Sequence, residues 1–295
     1  MSENPKPVVV VTGASTGIGE ACVAQLIGAG FFVFGAVRKE ADAARLQAQF
    51  GEDFAPLFFD VTDDLAIAQA VEKVEAHLGG RLLAGLVNNA GVAFPAPLLY
   101  QPIEEFSRQI DINLVGQLRV VKGFAPLLGA RPEGVGAALG KPGRIVNMSS
   151  VAGTLASPFL GAYGASKHAL EGFSDALRRE LMIFGIDVIV IQPGFIRTPI
   201  WDKAEMADLS RYDETVYGPA ARRMRKWAVE QGRNAPPADW VSKAVLRALT
   251  APRPPARIRV VANYLLDWTL PRLLPTRLLD KLMAKRLGFP SKSRA

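Results

Sequence analysis

Short apolar runs and amphipathic stretches alternate along most of this chain. The runs predict strands at about 7–12, 31–37, 54–60, 82–88, 143–149, 186–192 and 257–262. Between them, apolar side chains recur at the 3.6-residue helical period over about 17–29, 40–50, 63–78, 102–128, 161–184 and 237–250. Runs such as Gly85-Leu86-Val87 and Asp187-Val188-Ile189-Val190-Ile191 lack polar alternation, as strands buried on both faces do. The pattern predicts an α/β fold: a doubly wound parallel sheet between two layers of helices.

Three segments fall outside the alternation. Residues 129–142 (GARPEGVGAALGKP) are rich in Gly, Pro and Ala and predict a surface insertion. Residues 194–236 are polar helical text, too long for a plain connection, and predict a lid over a binding site. Residues 263–295 return to short helices broken by Pro271, Pro275 and Pro290. With no internal repeat and no linker, residues 1–262 form one domain and 263–295 a helical extension of it. In that extension Thr276 is the expected cap of a helix running to Gly288. Its apolar stripe is Leu278, Leu279, Leu282, Met283 and Leu287, with Arg277, Lys281 and Lys285 on another face. Such a helix can lie on an anionic membrane. The preferred expectation is that it closes the pocket or docks on its own subunit.

Composition narrows the function. Apolar residues make up 49% of the 295, ample for one core, and no run of about 18 apolar residues predicts a membrane span. Only Met1 to Lys6 precede the first strand, so no export signal is expected. Cys22 is the single cysteine, which fits a reducing cytoplasm. The only histidines, His77 and His168, stand far apart, so no metal site is expected. The net charge of +7 is local: from Arg253 onward ten Lys/Arg face only Asp267 and Asp280. The rest of the chain is near −1, which argues against a nucleic-acid partner.

The first strand runs into Thr12-Gly13-Ala14-Ser15-Thr16-Gly17-Ile18-Gly19. Glycines there let backbone approach a pyrophosphate, and the following helix supplies free N–H groups and a positive dipole end. A dinucleotide is the expected ligand, although methyltransferases use similar loops. The second strand ends Val37-Arg38-Lys39, where an NAD site would carry an acid. Arg38 is placed to meet a 2′-phosphate, so NADP is expected and NAD is possible. Further on, Tyr163 and Lys167 stand at i and i+4 on one helix face. A neighbouring ammonium stabilises a phenolate and so suits tyrosine to acid/base work.

The ordered set Thr12-Gly13-x-x-x-Gly17-x-Gly19, Asn88-Asn89-Ala90-Gly91, Asn113, Ser149-Ser150, Tyr163-x-x-x-Lys167 and Pro193-Gly194 resembles the short-chain dehydrogenase/reductase family, in its compact single-domain branch, which implies a Rossmann-like fold. The resemblance covers residues 7 to about 200 and loosens beyond. It implies Tyr163 as proton donor or acceptor, and Ser150 as the hydroxyl that bonds the substrate oxygen. Lys167 would lower the tyrosine pKa and hold the nicotinamide ribose. Asn113 would hold the water of a proton relay. Gly13, Ser15, Thr16, Gly17, Ile18 and Gly19 would cradle the pyrophosphate. Asp60-Val61 would hold the adenine, and Asn89, Ala90 and Gly91 would lie along the adenosine ribose. Pro193, Gly194, Ile196 and Thr198 would line the nicotinamide and phosphates. Asn88 is expected to bond backbone between strands. The arginine that many NADP-using members carry in the glycine loop is absent, with Thr16 in its place, which leaves Arg38 as the main support for NADP.

Phe94, Val151, Phe159, Phe195, Ile200, Trp201 and Met206 are the expected pocket lining. With no Arg or Lys among them, a hydrophobic ketone or secondary alcohol is the expected substrate, in the manner of steroid- and retinol-type members. The resemblance also implies a homodimer or homotetramer built on the helices near 102–128 and 161–184. Two other functions use part of this set. A silent NADP-binding regulator needs no full Asn113, Ser150, Tyr163 and Lys167 constellation. A methyltransferase has no evident use for the Tyr-x-x-x-Lys helix or Arg38, and mixing with NADPH separates it from the other two.

Overall fold

The computed structural model describes residues 5–131 and 140–289, so most of the Gly-rich insertion and the last six residues lie outside the described region. Four consecutive valines form β1 (Val8–Val11), and successive side chains on a strand point to opposite faces. Val8 and Val10 enter one core layer, and Val9 and Val11 the other. This is why the run shows no polar alternation.

From β1 the chain passes through α1 (Gly17–Gly28), β2 (Phe32–Val37), α2 (Glu40–Phe50), β3 (Phe54–Phe58), α3 (Asp64–Leu78) and β4 (Gly85–Asn88). It continues as α4 (Ile103–Ile110), α5 (Gly116–Leu128), β5 (Arg144–Met148), α6 (Gly161–Glu180) and β6 (Asp187–Pro193). Next come α7 (Ile200–Glu205), α8 (Gly218–Arg233), α9 (Asp239–Thr250) and β7 (Arg257–Val260). The end of the described chain holds α10 (Leu270–Leu273) and α11 (Thr276–Leu287). The seven strands form one parallel sheet in the order β3-β2-β1-β4-β5-β6-β7. Leu26 of α1, Leu46 of α2 and Val241 and Val245 of α9 bury one face. Val74 of α3, Val120 and Phe124 of α5 and Leu177 of α6 bury the other. The order reverses at β1, which pairs with β2 on one side and β4 on the other. Ligands of such sheets sit at this reversal, beyond the carboxyl ends of the strands.

The expected single helix over 102–128 is interrupted. Asp111–Val115 form one wide π-helical turn between α4 and α5. The apolar period runs through it, so periodicity hides the widening, and such turns are frequent at functional sites. Gln109, Asn113 and Gln117 are all buried. Gln109 and Asn113 accept from the backbone N–H groups of Phe94 and Val92. The helix predicted over 161–184 ends earlier, as α6, and tightens into a 3₁₀ turn at Leu181–Phe184.

The 194–236 segment folds as α7, a 3₁₀ turn at Ser210–Tyr212, and α8. Arg211 grips Glu105 of α4 through two bonds of 2.7 and 3.0 Å. Two expectations for the tail are corrected. Thr276 is the first residue of α11, and Pro275 holds the cap position without a side-chain bond. The apolar stripe is split: Leu287 is buried, while Leu278 and Leu282 are exposed. Leu287 packs in a small cluster with Ala220, Ala221 and Phe159, joined by Tyr217, Met224 and Phe289. Arg223 of α8 donates to the Leu287 carbonyl at 2.9 Å, so α8 holds the end of α11. Among the described residues no helix is long and apolar enough to cross a membrane.

Candidate active site

The glycine loop is fastened from below. Thr12 Oγ1 accepts from the N–H groups of Asn89 and Ala90 at 2.9 and 3.0 Å. The Asn89 side-chain amide donates to the Thr12 and Gly13 carbonyls at 3.0 and 3.1 Å. Gly13 and Gly17 both have φ of +63°, which only glycine adopts without strain. A Cβ on Gly19 would fall on the Gly13 carbonyl, so the third glycine is required for the loop to close on its helix. The first turn of α1 faces the crevice with no side chain capping it at Thr16, which leaves N–H donors for an anion. Thr198, from the loop after β6, packs against Gly17 and closes the other side.

Arg38 stands exposed just past β2 and pairs with Asp60 at 3.2 Å. Asp60 also accepts from the Thr62 N–H and hydroxyl at 3.1 and 2.9 Å. Burial raises the Asp60 pKa, but the Thr62 bonds and Arg38 outweigh it, and the carboxyl is held below its usual value. Val61 packs against Gly116. Sequence reasoning missed Arg45, which donates to the Ser15 carbonyl of the loop at 2.5 Å and forks onto Glu20.

Asn113, Ser150 and Lys167 are buried, and Tyr163 is half-buried beside them. Asn113 clasps the Val92 backbone, accepting at 2.8 Å and donating at 2.9 Å. It also donates to Ser166 Oγ at 3.0 Å, and Ser166 donates to the Tyr163 carbonyl at 2.8 Å. Its side chain therefore anchors α6 to the strand-end loop. Gly91 brings backbone close to both Asn113 and Lys167, where a Cβ would stand 3.2 Å from Asn113 Oδ1 and 3.8 Å from Lys167 Nζ. Asn88 departs from its expected backbone bond. Its amide donates to Asn147 Oδ1 at 3.0 Å, and Asn147 donates to Ser174 of α6 at 2.9 Å, linking β4, β5 and α6.

Lys167 Nζ lies 5.8 Å from the Tyr163 ring centroid and donates to the Met148 carbonyl at 2.7 Å. Ser150 Oγ accepts from Ala152 N–H at 3.1 Å and donates to the Pro193 carbonyl at 3.4 Å, a long bond readily exchanged for another acceptor. Burial pushes the Tyr163 phenol up, and the Ser150 hydroxyl pulls it back down. Burial likewise lowers Lys167 to about 8, opposed by the charge of Glu171 one turn along. Desolvation is the largest influence on the phenol, and it raises it.

These shifts set a pH dependence. Between pH 8 and 10 the unfolded chain binds a proton at lysine that buried Lys167 releases, so stability rises with pH. The cost of burying the ammonium is fully present below pH 8. Above pH 10 the unfolded chain loses its tyrosine proton first, and the raised phenol of Tyr163 reverses the trend. By urea unfolding, the stability difference between wild type and Lys167→Met is expected to shift progressively in favour of wild type from pH 8 to 10. A stability difference independent of pH contradicts this.

The expected lining residues divide. Phe94 and Val151 are half-buried at strand-end loops. The Phe195 and Trp201 rings meet at 5.4 Å, and Trp201 Nε1 donates to the Ile196 carbonyl at 2.7 Å, so this pair ties α7 to the loop after β6. Phe159 is buried against Tyr217 and Phe289, with a left-handed φ of +65° rare for an aromatic residue. Ile200 and Met206 are exposed. Outside that set, Arg272 of the tail donates to the Val151 carbonyl at 3.4 Å and to the Thr154 hydroxyl. Nothing in the local text after Ser150 signals an arginine 121 residues later in the chain. Among the described residues no three His, Cys, Asp or Glu side chains gather as metal ligands.

Comparison with known proteins gives the family. The family model described as short chain dehydrogenase matches residues 7–208. An NADPH-dependent 3-dehydrocapnine reductase of Ornithobacterium rhinotracheale is 38% identical over 278 residues, 94% of this chain and 96% of that protein. Retinol dehydrogenase 5 of Homo sapiens is 33% identical, with 97% of this chain and 90% of that protein aligned. Among solved structures, a short chain dehydrogenase/reductase of Burkholderia phymatum in complex with NAD superimposes with a TM-score of 0.71 at 26% identity. That superposition covers 88% of this chain and 90% of the other.

Proposed function

The chain belongs to the short-chain dehydrogenase family of oxidoreductases, and from that premise we propose that it moves a hydride between NADP(H) and a hydrophobic ketone/secondary alcohol pair, with Tyr163 as acid/base. The observation that carries the proposal is the convergence of Ser150, Tyr163 and Lys167 beyond the carboxyl ends of the strands. The dinucleotide fits the residues present. The uncapped start of α1, the tight glycine loop and Thr198 would hold its phosphates, Arg38 a 2′-phosphate, and Lys167 the nicotinamide ribose. When bound, the nicotinamide donates or accepts the hydride.

The residues of this chain supply the rest. In the reducing direction the carbonyl oxygen accepts from the Ser150 and Tyr163 hydroxyls, which polarises its carbon. As negative charge grows on that oxygen, Ser150 keeps donating to it and Tyr163 hands over its proton. The phenolate left behind faces Lys167, whose charge stabilises it until a proton returns from solvent. The low dielectric that raises the phenol pKa also strengthens the attraction between phenolate and ammonium. Oxidation runs the same steps backwards.

The preference for NADP rests on Arg38 and on the NADPH dependence named for the Ornithobacterium relative. Arg38→Asp is expected to invert the ratio of kcat/KM for NADPH over NADH. The new carboxylate repels a 2′-phosphate, stands beside Asp60, and can accept from a 2′-hydroxyl. A wild type that already prefers NADH overturns the cofactor assignment and makes Arg38 a bystander.

A further inference from the structure

The tail brings cations to the neighbourhood of the catalytic serine. Two guanidiniums meet at Trp268, with Arg272 Cζ 3.3 Å and Arg259 Cζ 4.5 Å from its ring centroid. Their carbons are therefore no farther apart than the sum of those distances. Arg272 reaches back from α10 to the turn after Ser150, at Val151 and Thr154. Arg259 rises near the carboxyl end of β7 and donates to the Tyr264 hydroxyl at 3.3 Å. Its neighbour two residues earlier, Arg257, pairs with both Glu171 and Asp175. Arg259 and Arg272 have no carboxylate at ion-pair distance among the described residues.

A guanidinium carries five N–H donors. Three bonds occupy Arg272 and one occupies Arg259, so both keep donors to spare. Burial, and next the like charge of Arg259, hold Arg272 below its usual value. Stacking on an indole fixes each guanidinium plane and leaves its N–H edge free. Like charges gathered at one ring are relieved when an anion joins them.

We propose that Arg259 and Arg272, stacked on Trp268, bind an oxyanion (carboxylate, sulfonate or phosphate) carried by the same molecule as the ketone. Tyr264, Leu265, Leu266 and Leu270 are exposed on the same segment and offer an apolar surface to an alkyl chain. The substrate is then an amphiphile with its anionic group near the reacting carbonyl. The inference rests on the reductase reading, since it takes the anion as part of what Ser150 and Tyr163 reduce.

Octanesulfonate, titrated calorimetrically below its micelle concentration, tests the site without turnover. Saturable binding is expected, weakened about tenfold or more in Arg259→Met, since bonds to charged groups contribute about 1.5–3 kcal/mol. Methionine keeps the stem of this exposed side chain, and Arg259→Lys should recover part of the affinity. In turnover, a keto-alkylsulfonate should exceed a neutral ketone of equal length in kcat/KM, and Arg259→Met should collapse that ratio. No saturable sulfonate binding, or equal binding in wild type and Arg259→Met, overturns the proposal. Arginine-dependent binding with no ketone of either kind reduced preserves the anion site and removes the reductase reading instead. If only anionic lipid vesicles bind, and Arg259→Met releases them, the ligand is a bilayer head group and the substrate site is refuted.

Discussion

Tyr163→Phe is expected to lower kcat by about 10²–10⁴ or more while leaving NADPH affinity nearly unchanged. The ring of Tyr163 packs half-buried against its helix, and phenylalanine keeps that packing. What disappears is the hydroxyl that, in the proposed mechanism, exchanges a proton with the substrate oxygen beside Ser150 and Lys167. The charge developing on that oxygen then has no proton to neutralise it. NADPH binding, read by fluorescence titration, separates the chemical loss from a binding loss. Undiminished turnover in the Phe variant would remove Tyr163 from the mechanism.

Ser150→Ala follows, with an expected loss of about 10²–10³ in kcat, the usual effect of removing one donor from an oxyanion. The Ser150 hydroxyl now spends its proton on a 3.4 Å bond to Pro193. Exchanging that bond for a substrate oxygen costs little and grows in value as charge develops. The effect should therefore fall on kcat more than on KM. Ser150 Oγ also accepts from Ala152 at 3.1 Å, so the alanine variant loosens the turn, and thermal unfolding measures that separately. A loss confined to KM with kcat intact would show that Ser150 binds the ground state and does not stabilise the transition state.

Much of this molecule is written locally and was legible for that reason. Val8 to Val11 announce a strand buried on both faces, because each valine serves one of two cores. The glycine loop, Arg38 after β2 and the Tyr163–Lys167 spacing are short-range statements, each fixed by one turn of backbone. What escaped depends on partners far along the chain. The Asn89 amide bonds Thr12 and Gly13, 77 and 76 residues away. Arg272 reaches Val151 from the tail. The π turn at Asn113 leaves the apolar period intact, so pattern alone reads straight through it. The stripe Gln109, Asn113 and Gln117 was the available signal, polar residues repeating on a face that otherwise turns inward. Lys167 was expected to lower the Tyr163 pKa by its charge. Burial proved the larger influence on both, and depth is a property of the folded chain.

The most direct measurement of the central claim follows the hydride itself. Wild-type protein is incubated with a panel of hydrophobic ketones, neutral and anionic, and NADPH deuterated at the transferable positions of its dihydropyridine ring. The account predicts deuterium at the carbinol carbon of the alcohol formed, with NADPH consumed in equal amount and Tyr163→Phe producing almost none. Alcohol formed without deuterium, or no NADPH oxidised with any member of the panel, would contradict it.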